Sequence, residues 1–146
     1  MKDNDTALQI LLVEDNPGEI RLTREALREG RISSAITVAR DGEEALAILY
    51  RQPPHQAAAR PDLILLDLNL PRLDGQAVLA RIKRDPDLRH IPTVVLSSSQ
   101  AEEDILQTYG RHANCYISKP MELDRFMAVI RSIEDFWLTV ATLPPH

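Results

Sequence analysis

Hydrophobic and polar positions along this chain follow two alternating rhythms. Short aliphatic or β-branched runs, QILLVED, AITVAR, LILLD, TVVLSSS and CYIS, are separated by stretches in which apolar residues recur every three or four positions. The runs predict strands and the intervening stretches predict helices. In the first helical stretch Ile20, Thr23, Ala26 and Leu27 share a side before Gly30; Ala45, Leu46, Ile48 and Leu49 stripe the second, and Val78, Leu79 and Ile82 the third. AEEDILQTYG predicts a fourth, weaker helix and ELDRFMAVIRSIEDFWLTVA a long last one. Start signals sharpen the boundaries. Asn16-Pro17-Gly18-Glu19 supplies an N-cap, a proline at N1 and an acid at N3, and Asp41 caps the next helix with Glu44 at N3. RQPPHQAAARP reads as a loop, and Pro92 marks entry to the fourth strand.

Strict strand-helix alternation predicts an α/β domain with a central parallel sheet and helices on both faces, because right-handed crossovers place them there. LILLD, nearly continuous in aliphatics, suits a strand covered on both faces. With 146 residues the chain is sized for one domain.

In such sheets ligands bind at the carboxyl ends of the strands. Those ends carry Glu14 and Asp15 after the first strand, Asp67 after the third, Ser97 after the fourth and Lys119 after the fifth. Clustered carboxylates repel unless a cation joins them, and few hard oxygen ligands suit Mg²⁺, with Mn²⁺ as a substitute. Lys119, placed before Pro120, aims a second cation at the same rim. A carboxylate beside a metal and an ammonium is equipped to attack a phosphoryl group, giving an aspartyl phosphate on Asp67. Ser97 would hydrogen-bond a phosphoryl oxygen, and the main-chain carbonyl of Asn69 would join the metal ligands. The bland reading of Glu14 and Asp15 is helix capping, against which stands the convergence of acids and a lysine on strand ends.

ILLVEDN, LILLDLNLPRLDG, VVLSSS and YISKP, in that order over about residues 8–135, resemble the receiver domain of two-component response regulators. The resemblance implies a flavodoxin-like doubly wound sheet of five strands in the order 2-1-3-4-5, with five helices and an extended C-terminal helix and tail. It implies phosphorylation of Asp67 by a histidine kinase, and Mg²⁺ held by Asp15, Asp67 and the carbonyl of Asn69, with Glu14 acting through water. Ser97 and Lys119 match the family's hydroxyl and lysine, and Tyr116 its inward-turning aromatic. Ser99 falls where the family tunes phosphoryl lifetime. The first acidic position is Glu rather than the commoner Asp. EDFWLTVATLPP and the LRHIPTVVLSSS stretch resemble the single-domain regulators paired with bacterial phytochrome kinases.

Composition narrows the partners. A formal charge of -5 argues against direct nucleic-acid binding, and the polar start of the chain and the lack of a roughly 20-residue apolar run argue against export and membrane insertion. A cytoplasmic location is expected, in agreement with the single cysteine, Cys115. The four histidines lack metal spacing. In the last helix Leu123, Phe126, Met127, Ile130, Ile133 and Trp137 follow one stripe, leaving Phe136, Val140 and Leu143 over. These leftover residues, with Trp137 beside them, suggest a partner surface at Phe136, Trp137, Val140 and Leu143, and the receiver resemblance implies a homodimer through the fourth helix, fifth strand and fifth helix, unless the tail folds back on its own domain. Two other functions stay open: a receiver-like binding module that needs no phosphate, and an aspartyl-phosphate phosphatase. The second normally has an acid two residues after its nucleophile, where this chain has Asn69.

Overall fold

The computed structural model describes residues 8–29, 34–67, 70, 75–97 and 115–118, with 127, 128, 131, 132 and 135. In chain order the elements are β1 (Leu8–Val13), α1 (Pro17–Arg28), β2 (Ser34–Ala39), α2 (Gly42–Leu49), β3 (Leu63–Asp67), α3 (Gly75–Arg84), β4 (Thr93–Ser97) and β5 (Cys115–Ser118). The strands form one sheet in the order β2-β1-β3-β4-β5, and every pairing is parallel. Residues 127, 128, 131, 132 and 135 are helical, within the last predicted helix. The helix expected over AEEDILQTYG lies outside the described residues.

Successive strand residues point to opposite faces, so the aliphatic runs build two cores. On one face Leu11, Val13, Ile64, Leu66 and Val95 meet Ala45, Ile48 and Leu49 of α2 and Val78, Leu79 and Ile82 of α3. On the other Ile10, Leu12, Leu63, Leu65, Val94 and Leu96 meet Ile20, Ala26 and Leu27 of α1, with Met127 packed against them. All five residues of β3 are buried, as expected of a central strand with helices on both sides. Burying each large aliphatic contributes about 1.5–3 kcal/mol, which is why the interleaved runs dominate the fold. β2, on the edge, alternates half-buried and exposed positions up to Ala39.

The caps form as the local sequence directs. Asn16 Oδ1 accepts from the N–H groups of Gly18 (2.8 Å) and Glu19 (3.1 Å). Asp41 Oδ1 accepts from Glu44 N–H at 2.8 Å, while Glu44 Oε1 reaches back to the Arg40 N–H at 2.9 Å. One buried segment carries no period that marks it in the sequence: the turn between α3 and β4 places Leu88 and Ile91 in the α2–α3 core.

Candidate functional site

The site is built where β1 and β3 end side by side. Val13 pairs with Leu66, so the next residues, Glu14 and Asp67, stand level at the carboxyl rim of the sheet. Glu14 continues the strand pairing by one residue, its N–H donating to the Ala39 carbonyl at 2.9 Å. The chain then turns sharply, because Asn16 caps α1 and Pro17 opens it. That turn brings the Asn16 N–H to Glu14 Oε2, at 3.2 Å, and fixes the direction of the buried carboxylate. Asp15, one residue on, is exposed.

Glu14 and Asp67 are 1% and 2% exposed, so both carboxylates sit in the protein rather than in bulk water. Carboxylate oxygens of Glu14, Asp15 and Asp67 all lie within 4.8 Å of one another. At that spacing and an effective dielectric of about 20, each pair of charges repels by roughly 3–4 kcal/mol. The arrangement is favourable when a divalent cation occupies it. The donor set fits Mg²⁺: all three side chains offer hard oxygen, and opposite ligands of an octahedral Mg²⁺ lie about 4 Å apart.

Ser97 closes β4 one residue beyond Leu96, the register partner of Asp67, so its backbone stands at the same rim. Ser97 pairs in turn with Ser118, the last residue of β5, and Lys119 follows in sequence. Tyr116 pairs with Val95 inside the sheet. The side chains of Ser97 and Tyr116, and residues Asn69, Lys119, Phe136, Trp137, Val140 and Leu143, lie outside what the structure describes. The predicted acids are therefore brought together, with Ser97 at the rim by its backbone. Sequence reasoning did not anticipate the part of Ala39, whose carbonyl anchors Glu14 across the β1–β2 pair, and no local signal marks it.

Comparison with known proteins points to one family. A family model described as response regulator receiver domain matches residues 10–131. The response regulator Rcp1 of Synechocystis sp. is 46% identical over 135 residues, covering 92% of this chain and 92% of that protein. Among solved structures, the phosphorylated cyanobacterial phytochrome response regulator RcpA is 50% identical, with a TM-score of 0.78 over 95% of this chain and 99% of that one. The Mn²⁺-bound form of Rcp1 is 45% identical, with a TM-score of 0.77 over 94% of this chain and 99% of that one.

Proposed function

The chain belongs to the response regulator receiver family, and from that premise we propose that it is a phosphorylation-driven switch whose phosphoacceptor is Asp67. The observation that carries the reading is the buried Asp67 carboxylate gathered with Glu14 and Asp15 at the strand ends. An Asp67 oxygen attacks the phosphorus of the donor, the donor's leaving group departs with its bonding electrons, and an acyl phosphate remains on Asp67. Asp15, Asp67 and the Asn69 carbonyl would hold Mg²⁺ directly, and Glu14 through water. Bound there, the ion neutralises charge on the phosphoryl oxygens during transfer. Lys119 would provide the second positive charge and Ser97 a hydrogen bond to the transferred group.

The donor in this reading is a histidine kinase, and the likeness to RcpA supports a phytochrome as its sensory part. The chain acts as a signalling phosphoacceptor, catalysing only the gain and loss of its own phosphoryl group. Contacts that favour one conformer when Ser97 holds the phosphate and Tyr116 turns inward would shift the population between two states. The receiver core is read as about 8–135, with 136–146 as an extension through which Phe136, Trp137, Val140 and Leu143 make a homodimer. A cytoplasmic location accords with the partner class, and no helix among the described residues is long and apolar enough to cross a membrane.

The test is intact-protein mass spectrometry after incubation with Mg²⁺ and acetyl phosphate, beside Asp67→Asn. The parent should gain one labile phosphoryl group and the variant none. Labelling of the variant equal to that of the parent would reject Asp67 as acceptor.

A further inference from the structure

A cavity of about 280 Å³ opens at the pole of the sheet opposite the carboxylate rim. The end of α2, the chain that leads into β3 and the turn between α3 and β4 meet there. Leu49, Pro61 and Leu88, all buried, give it an apolar lining, and Tyr50 forms a wall. Arg51, Arg60, Asp85 and Asp87 supply its polar groups. Pockets for drug-sized ligands occupy about 300–1,000 Å³, so this one suits a smaller molecule.

Most of the lining is held in place by the protein itself. The Tyr50 hydroxyl donates to Asp85 Oδ2 at 2.9 Å, and the Arg81 guanidinium lies over the Tyr50 ring, 5.9 Å from its centre. Asp85 Oδ1 accepts from the Asp87 N–H at 2.8 Å, so both oxygens of that carboxylate are committed. The Arg60 guanidinium donates to the Asp87 carbonyl, which ties the segment before β3 to the turn before β4. Arg51 differs. Among the described residues no hydrogen bond or ion pair holds its guanidinium, and its side chain is exposed. Its backbone has φ of 55°, a left-handed conformation in which a side chain is strained. A strained residue with an uncommitted charge beside a cavity points to binding rather than to stability.

We propose that this cavity binds a small aromatic monocarboxylate, its ring against Tyr50 and the apolar lining and its carboxylate paired with Arg51. Aromatic rings gain from offset or edge-on contact, and the arginine fork matches a carboxylate in two parallel hydrogen bonds. One negative charge suits the site better than two, because Asp85 and Asp87 stand beside the arginines and repel a second. Inorganic phosphate fits less well, since it brings extra charge and leaves Leu49, Pro61 and Leu88 uncovered. The inference goes beyond the phosphoacceptor reading and does not depend on it, since no residue of the cavity belongs to the carboxylate rim.

The test titrates the ¹⁵N-labelled full chain with benzoate in EDTA, so that no metal at the carboxylate rim draws the anion. Benzyl alcohol, acetate and inorganic phosphate serve as comparisons: the first lacks the charge, the other two lack the ring. Benzoate should give saturable amide shifts at Tyr50, Arg51, Arg60 and Leu88, and each comparison should bind at least about tenfold more weakly. Arg51→Gln, which keeps a long polar side chain without the charge, should weaken benzoate by about tenfold or more while melting as the parent does. Arg51→Gly should lose as much binding although it melts no lower, which separates the role in binding from any role in the fold. Shifts that do not saturate at these amides, equal binding of benzyl alcohol or acetate, tighter binding of phosphate, or undiminished binding by Arg51→Gln would each overturn the proposal.

Discussion

Glu14, just past the end of β1, and Asp67, the last residue of β3, hold carboxylate oxygens within 4.8 Å of each other with both side chains buried. This pairing is a source of repulsion in the metal-free protein and of affinity for a divalent cation. Mg²⁺ should therefore raise the melting temperature, approaching about 2.7 kcal/mol of stabilisation at a hundredfold excess over its dissociation constant. Asp67→Asn should melt higher than the parent in EDTA, because one like charge is gone, and should respond far less to Mg²⁺. Thermal melts of both proteins with and without MgCl₂ decide the matter, and an undiminished Mg²⁺ response in the variant would remove Asp67 from the ligand set.

A second relationship closes the opposite end of the sheet. Tyr50, at the end of α2, donates its hydroxyl to Asp85 Oδ2 at 2.9 Å, joining the ends of α2 and α3. The Arg81 guanidinium lies over the Tyr50 ring, 5.9 Å from its centre. Asp85 also accepts from the Asp87 N–H at 2.8 Å, and that bond, followed by the Tyr50 hydroxyl, holds its carboxyl below the ordinary value of 3.8. A depressed acid contributes stability above its unfolded value and loses it as pH falls through the folded one. Asp85→Asn should thus lie below the parent in stability near neutral pH and converge on it in acid. Urea denaturation at a series of pH values from about 6 downward checks this, and a constant gap between the two proteins would exclude the linkage.

The end of α2 predicts a stabilising substitution. Arg51 has φ of 55°, in the left-handed region, and it occupies the position after the C-cap where glycine is usual. Its N–H donates to Ile48 O at 3.1 Å and that of Gln52 to Ala47 O at 2.8 Å, the paired bonds that end a helix in this way. A side chain in this conformation costs about 1–2 kcal/mol, and glycine returns part of that as extra freedom in the unfolded chain. Arg51→Gly should therefore stabilise by about 0.5–1 kcal/mol, read as an increased urea midpoint with unchanged slope. A lowered midpoint would show that the arginine side chain supports the fold.

Much of the molecule is legible in local sequence, because strand runs, helix stripes and caps are properties of neighbouring residues. QILLVED, LILLD and TVVLSSS announce their strands through continuous aliphatics, and Asn16 and Asp41 announce two helix starts through side chains that reach only three residues. The order of acids at strand ends likewise follows from the alternation, since each strand of a parallel sheet points the same way. Resemblance to the receiver family supplied the strand order, which periodicity does not encode.

What only the tertiary structure decided depends on pairs far apart in the chain. Glu14 and Asp15 are adjacent acids of like chemistry, yet one is buried against Asp67 and the other faces solvent. The difference arises from the pairing of Glu14 with Ala39 and the turn at Asn16. Leu88 and Ile91 look like loop residues until α2 and α3 close over them. Arg51 and Arg60 share a cavity with Asp85 because the ends of α2 and α3 meet. Sequence determines such features only through the whole fold, because burial and charge proximity are set by which strands pair and in what register.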